Sequence, residues 1–246
     1  MIITTPKPPF SPHAERLLTA AGGYPKSDED LFLAGYSELC RIDFSGGHAL
    51  EICGGLGKLS SALASVFPKA RVTGIDLYVP GGPEVSAALA NNPNLEYVKG
   101  NAFDLSRYEN ESIDLIWGQA ALHHLSHDLD GIRDEAARVL KPGGRLVFIF
   151  EPLGHNPVFA AIRAMRMARH ELPDESNLYL SQFERMAAPF SSTEVHVFNF
   201  LGYPMKALSD RLAPLAVRVK SLDAWLFRKF PNLKRQAANC NLVFTK

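Results

Sequence analysis

The stretch Ala49-Leu50-Glu51-Ile52-Cys53-Gly54-Gly55-Leu56-Gly57-Lys58 decides how the rest of the chain is read. Ala49–Cys53 has the character of a short buried strand, and a glycine-rich turn follows at once. Glycine takes positive φ without a Cβ clash and lets a ligand come close to the backbone. Beyond the turn, Leu56, Leu59, Leu63, Val66 and Phe67 recur at helical spacing. A helix starting straight out of the turn aims its unpaired N–H groups and positive dipole end into the crevice. Strand, turn and helix together predict a seat for a nucleotide-like ligand.

Outward from this unit, strands and helices alternate as far as Glu151. Further strands are predicted at Arg71–Asp76, Leu95–Lys99, Ile113–Gly118 and Arg145–Glu151, with helices near Glu84–Asn91 and over Leu129–Leu140. Lys141-Pro142-Gly143-Gly144 reads as a stop and turn before the fifth strand. Such alternation implies a parallel, doubly wound α/β sheet with right-handed crossovers and its ligand at the carboxyl ends of the strands. Upstream, Pro6, Pro8, Pro9 and Pro12 predict an extended arm, and helices follow at Ala14–Ala21 and Asp28–Cys40. Ser27-Asp28-Glu29-Asp30 is a capped, acid-rich start for the second of these. Downstream come an amphipathic helix over 157–172 (Val158, Phe159, Ile162, Met165, Met167, Leu172) and a helix at Leu180–Ala188. Strands at Thr193–Phe200 and Asn239–Thr245 close the chain. The expected organisation is an arm and helices in 1–45 acting as a lid, and an α/β domain in 46–246 with cap insertions at 155–180 and 201–235.

The 246 residues are 46% apolar and carry equal numbers of acidic and basic side chains, enough for one large domain. Neutrality argues against a general nucleic-acid binder. The charge is uneven, however: residues 206–246 carry a formal +7 and the remainder −7. Cys40, Cys53 and Cys240 are far apart and form no C-x-x-C pair, the pattern of reduced thiols in a cytoplasmic protein. No export leader and no apolar run long enough to span a membrane is read.

Three glycine-loop chemistries compete. A phosphate loop fails, because Leu59 follows Gly57-Lys58 and Ile52 stands where its first glycine belongs. A dinucleotide fingerprint fits Gly55-Leu56-Gly57-Lys58-Leu59-Ser60 with serine in third place, and Asp76, nineteen residues past Gly57, could accept ribose hydroxyls. The third is the loop Glu51-x-Cys53-Gly54-Gly55-x-Gly57, with Val72–Asp76, Lys99-Gly100-Asn101-Ala102, Ile113–Ile116 with Leu122-His123-His124-Leu125, and Leu140–Leu146 following in register. These five stretches resemble, in order, the motifs of class I S-adenosylmethionine (SAM) dependent methyltransferases of the small-molecule type, with Cys and Gly exchanged at the third and fourth loop places. The resemblance implies a Rossmann-like seven-stranded sheet in order 3-2-1-4-5-7-6, its seventh strand antiparallel, flanked by N-terminal helices and a helical cap. It further implies that Glu51 and the backbone of Cys53, Gly54 and Gly55 hold the methionine end of SAM. Asp76 would take the ribose diol and Leu77 the adenine face. Asn101 would stand where the family often bonds the adenine amino group, Ala102 would offer its N–H, and Gln119 would face the methionine moiety.

His123-His124-x-x-His127 has the spacing of imidazoles on one helix face, but no Cys or carboxylate set accompanies it, so no metal is expected. Candidate bases are His124, His155 and Glu151, the last two at the end of the fifth strand. Each also has a plain reading, as a wedged or loop histidine or a loop cap. Tyr24 and Tyr36 either close over the cofactor or simply pack. The basic tail could meet an acidic substrate, a carrier protein or lipid head groups, though a solvated helix face is the simpler reading. The resulting expectation is methyl transfer from SAM to an O or N atom of a small or medium-sized metabolite by a monomer or homodimer. The alternatives are a SAM-binding protein that does not methylate and an NAD-dependent oxidoreductase.

Overall fold

Alternation of side chains along each strand settles which helices cover which face of the sheet. The structure, a computed structural model, describes residues 1–26, 28–41, 45–79, 81–169 and 177–246. Eight strands, β1 (Ile2–Thr4), β2 (His48–Ile52), β3 (Arg71–Asp76), β4 (Leu95–Lys99), β5 (Ile113–Gln119), β6 (Leu140–Pro152), β7 (Ser192–Phe198) and β8 (Asn239–Thr245), form one sheet. Their order is β1-β7-β8-β6-β5-β2-β3-β4. Strands β2 to β6 pair in parallel, and β8 runs antiparallel to both β6 and β7. The expected seven-strand order is thus present, antiparallel strand included. The eighth strand is new: Ile2–Thr4, ahead of the prolines, pairs in parallel with Glu194–His196 of β7. Without it β7 would be the sheet edge, with unpaired backbone groups.

Two apolar layers follow from the alternation. Ala49, Val72, Trp117, Val147 and Val243 face α1 (Pro12–Ala20), α2 (Glu29–Leu39) and α3 (Lys58–Val66). Leu50, Ile116, Leu146, Phe148 and Leu242 point the other way, against α5 (Leu129–Val139) and α7 (Leu180–Met186). The remaining helices are α4 (Pro83–Asn91), α6 (Pro157–Ala168), α8 (Gly202–Leu208) and α9 (Ala213–Lys229).

Helix α2 is stitched to the sheet. A Cβ on Gly35 would lie 2.8 Å from the Ile149 side chain, so only glycine allows this approach. Asn241 of β8 donates to Leu31 O at 2.8 Å and accepts from Phe150 N–H at 3.0 Å. Arg145 of β6 pairs with the buried Glu38 at 2.6 Å. At the other end of α2, Asp28 meets Lys206 of α8 at 2.5 Å.

Two local expectations change. Lys141–Gly144 does turn, but inside β6: pairing with β5 jumps from Ile113↔Leu140 to Leu115↔Arg145, and Gly143 takes φ 79°. The helix expected over 157–172 is described to Ala168, burying Phe159 and Ile162 while Val158 and Met165 stay exposed. Leu172 and the proposed cap residue Ser27 lie outside the described residues.

Candidate functional site

At the carboxyl end of β2 the chain turns through three left-handed residues, Cys53 (φ 55°), Gly55 (φ 51°) and Gly57 (φ 70°). Gly54 N–H bonds to Ile75 O of β3 at 3.0 Å, and Gly57 N–H to Gly54 O at 2.8 Å. The two left-handed glycines do different work. A Cβ on Gly57 would lie 2.4 Å from the Tyr97 ring, whose hydroxyl donates to Gly57 O at 2.7 Å. A Cβ on Gly55 would meet nothing within 4 Å. Gly57 is therefore a packing requirement, while Gly55 borders open space. The Cys53–Gly54 exchange places a side chain at a left-handed position, where most residues are disfavoured by about 1–2 kcal/mol. Burial raises its thiol pKa to about 12.

Glu51 is buried, and its Oε2 accepts the Ser60 N–H at 3.1 Å and the Ser60 hydroxyl. Gly57 is the N-cap of α3 and has no side chain to offer, so a carboxylate from the neighbouring strand takes the cap's place. Desolvation raises the Glu51 pKa to about 7, against the two Ser60 bonds and the Trp117 indole, which lower it.

Asp76 ends β3 beside this turn. Its Oδ2 accepts Gly55 N–H at 2.9 Å and its Oδ1 accepts Tyr78 N–H at 3.1 Å. Leu77, Tyr78 and Val79 follow, 57%, 81% and 47% exposed, with Leu56 across the turn at 70%. Such clustered apolar exposure at the carboxyl edge suits the face of a flat, apolar group. Gly100 N–H bonds to Asp76 O at 2.9 Å, which brings the exposed Asn101 alongside. Asn101 Oδ1 accepts Phe103 N–H at 3.1 Å, and Ala102 is buried beneath it. At the end of β5, Gln119 accepts from the Tyr36 hydroxyl at 2.9 Å and donates to the Tyr24 hydroxyl at 2.6 Å. Tyr24 stacks on Phe32 with centroids 3.7 Å apart, so Tyr24 and α2 are tied to the strand end nearest the turn. Burial drives the Tyr36 phenol pKa up, and the hydroxyl stays protonated at neutral pH.

The three candidate bases sit differently. Glu151 is fully buried: Oε1 accepts from Ala121 and Leu122 N–H at 2.8 and 2.9 Å, and Oε2 from His123 N–H at 3.2 Å. The His123 Nδ1 lies 2.8 Å from the same Oε2. Glu151 thereby caps the 3₁₀ turn Leu122–Asp128 and fixes the buried His123 ring. His124 is exposed, its ring 4.2 Å from that of His123. His155 Nε2 accepts Leu180 N–H at 3.0 Å and so caps α7; burial, then the charge of Arg235, lowers its pKa. His127 packs on Phe103. Among the described residues no group of three or more His, Cys, Asp or Glu side chains is placed to hold a metal ion.

A file of rings, of which sequence reading singles out only Phe159, crosses the same edge. Phe32 of α2 meets Phe150 at 5.3 Å, Phe150 meets Tyr203 of α8 at 5.5 Å, and Tyr203 meets Phe159 of α6 at 5.2 Å. Phe150 takes φ 64°, where the pairing of β6 with β8 shifts register. Phe32, the Phe150–Phe159 pair and Tyr203 lie in three separate stretches and share no period, so only the folded sheet brings them together.

The sheet order and the strand–glycine turn–helix at its midpoint define an α/β domain of the methyltransferase type. Residues 50–148 match a family described as a methyltransferase domain. A demethylmenaquinone methyltransferase of Staphylococcus aureus is 30% identical over 181 residues, spanning 72% of this chain and 71% of that protein. Among solved structures, phosphoethanolamine N-methyltransferase 2 of Haemonchus contortus with bound SAM superposes with a TM-score of 0.58 at 18% identity, over 95% of this chain and 55% of that one. Geranyl diphosphate C-methyltransferase of Streptomyces coelicolor does so with a TM-score of 0.55 at 14% identity, over 97% and 98%. The chain belongs to the class I SAM-dependent methyltransferases, and SAM is its methyl donor.

Proposed function

We propose that the protein methylates a small or medium-sized, partly apolar metabolite, and that SAM lies along the carboxyl edge of β2 and β3. The observation that carries the site is the lock between Asp76 and the glycine turn, with the open space at Gly55 and the exposed Leu77–Val79 beside it. In this reading the Cys53–Gly55 backbone holds the methionine end, and Glu51 contributes negative charge beneath it. Asp76 uses its remaining lone pairs on the ribose hydroxyls, Leu77 covers the adenine, and Asn101 and Ala102 address the ring edge. Gln119, held by Tyr24 and Tyr36, sets the wall facing the methionine moiety. The ring file Phe32–Phe150–Tyr203–Phe159 forms the acceptor side, which supports an apolar substrate. The Staphylococcus relative, named for a demethylmenaquinone, agrees with such an acceptor.

Bound SAM supplies a methyl carbon on a cationic sulfur, an already activated electrophile. The chain's task is then to align the acceptor and exclude water, which can supply about 7–11 kcal/mol. A general base adds about 3–5 kcal/mol. For an oxygen or nitrogen acceptor, His124 is the candidate base because it alone of the three is exposed to solvent, while Glu151 is buried and His155 is partly covered. A carbon acceptor is the second reading, favoured by the engagement of the two strand-end groups as caps.

Calorimetric titration of SAM into variants of the glycine turn tests the placement of the cofactor; affinity unmoved by every such variant would overturn it. Release of S-adenosylhomocysteine with quinol or prenylated acceptors separates this reading from a SAM-binding protein that does not methylate. Asp76→Ala should weaken SAM binding by about 1.5–3 kcal/mol, through loss of charge-assisted bonds. Unchanged affinity in that variant would place the nucleotide elsewhere.

A further inference from the structure

Helix α9 presents an outward face that the fold leaves uncovered. Leu215, Arg218, Leu222, Trp225 and Lys229 recur at three- and four-residue spacing and therefore share one side of the helix. Leu215, Leu222 and Trp225 are 42%, 43% and 45% exposed. Arg228 flanks them, and Phe230 sets its exposed ring edge-on to Trp225 at 6.2 Å. The single acidic residue of α9, Asp223, is turned inward: it is buried and accepts N–H bonds from Phe200, Leu201 and Gly202 at the start of α8. Among the described residues Arg218, Arg228 and Lys229 enter no ion pair. An apolar stripe that includes a tryptophan, interleaved with cations and free of acids, is the pattern of a helix lying in a membrane interface. The segment around it carries a formal +7 in a chain of zero net charge, so the complementary surface is anionic.

We propose that α9 docks the protein on an anionic lipid bilayer, with Leu215, Leu222 and Trp225 inserted at the head-group level and Arg218, Arg228 and Lys229 on lipid phosphates. The face needs nothing from the methyl-transfer reading, but it deepens it. Helix α9 packs on α8, which carries Tyr203 to the Phe150 ring, so docking would bring the acceptor side of the site to a source of amphiphilic substrate.

Purified full-length protein is tested for flotation with phosphatidylcholine vesicles and with vesicles containing about 30% phosphatidylglycerol. Binding to the anionic vesicles alone, lost in high salt, is expected. Trp225 is its own reporter, because the other tryptophan, Trp117, is fully buried; its emission should shift to the blue on binding. The triple variant Arg218→Gln/Arg228→Gln/Lys229→Gln should lose on the order of 100-fold in vesicle affinity. Leu222→Ser/Trp225→Ser should lose binding even at low salt. SAM affinity, measured on the same variants, should stay within about twofold of wild type, since these side chains lie outside the glycine turn. Equal binding to neutral and anionic vesicles, or an unaffected triple variant, would overturn the proposal. So would a dimer dissolved by Leu222→Ser/Trp225→Ser in the absence of vesicle binding, which would assign the face to a second copy of the chain. Failure to bind SAM, by contrast, would strike only the methyltransferase reading.

Discussion

Two glutamates one hundred residues apart stand near the carboxyl ends of β2 and β6, with β5 between those strands, and each caps a helix that begins beside it. Glu51, in β2, receives one backbone N–H and one hydroxyl, both from Ser60. Glu151, in β6, receives three backbone N–H groups and faces the His123 ring nitrogen. Both are buried to within a few percent, so the number of donors is what separates them. A buried carboxylate is costly unless hydrogen bonds replace its water. Glu151 is surrounded by donors and serves the framework. Glu51 has fewer, its pKa rises to about 7, and it stands next to the turn that we assign to a cationic cofactor. Spare acceptor capacity at the glycine turn, against saturation at the 3₁₀ turn, is what our proposal assigns to the response to a ligand.

The sharpest way to break this contrast is to remove the saturated group. Glu151→Ala leaves Ala121, Leu122 and His123 N–H groups buried without an acceptor, each worth about 1–3 kcal/mol. A loss of about 3–5 kcal/mol in folding stability, read from the denaturant midpoint, is expected. A variant with an unchanged midpoint would mean that water or another acceptor satisfies the turn, and the comparison would fail.

The next test uses pH. Glu51 has a folded pKa of about 7 against an ordinary 4.5, so between these values the folded state holds the proton that the unfolded state has released. Stability from this group is full below pH 4.5 and lost as pH rises to about 7, a swing of about 3 kcal/mol. His48 acts oppositely. Burial, then Arg71, depresses its pKa from 6.5 to about 4, so its contribution is present above pH 6.5 and lost on acidification toward 4. The two slopes oppose each other in the native chain. Glu51→Gln should expose the His48 slope as a stability that falls steadily from pH 6.5 to 4. In the native protein, SAM binding should strengthen as pH rises through about 7, because the charged carboxylate favours a cation; in Glu51→Gln that dependence should vanish. A native SAM affinity that is flat across pH 6–8 would remove Glu51 from the cofactor's electrostatics.

What could be read from the chain alone follows the same division between local and distant partners. β3, β4 and β8 match their expected limits residue for residue, because alternation and flanking turns are local signals. The order of the seven inner strands was legible through motifs in register. The capping role of Glu51 was not, since its partner Ser60 looks like any solvent-facing residue of a helix whose other serine positions are similar. Glu151 and its 3₁₀ turn lie about thirty residues apart, and nothing in either stretch announces the other. The pairing of Ile2–Thr4 and the bulge that turns Phe150 toward Tyr203 depend on strands joined only by the completed sheet. The glycine turn was readable as a turn. Which of its glycines is required by packing and which borders open space needed the position of Tyr97.

That last distinction gives the smallest and most discriminating test. Gly57→Ala combines a left-handed φ of 70° with a Cβ 2.4 Å from the Tyr97 ring, so about 2 kcal/mol of stability should be lost as the ring is displaced. Gly55→Ala carries a similar backbone penalty, φ 51°, but meets no atom within 4 Å, and should cost only about 1 kcal/mol. The order should reverse for the cofactor. The methyl group at Gly55 projects into the space assigned to SAM, so SAM affinity should fall more in Gly55→Ala than in Gly57→Ala, as read by calorimetry at a temperature where both are folded. If Gly55→Ala binds SAM as tightly as the native chain, the open space beside Gly55 is not the cofactor's. Glu51 would then lose its claim to respond to a ligand, and the two buried glutamates would differ only in how many N–H groups they hold.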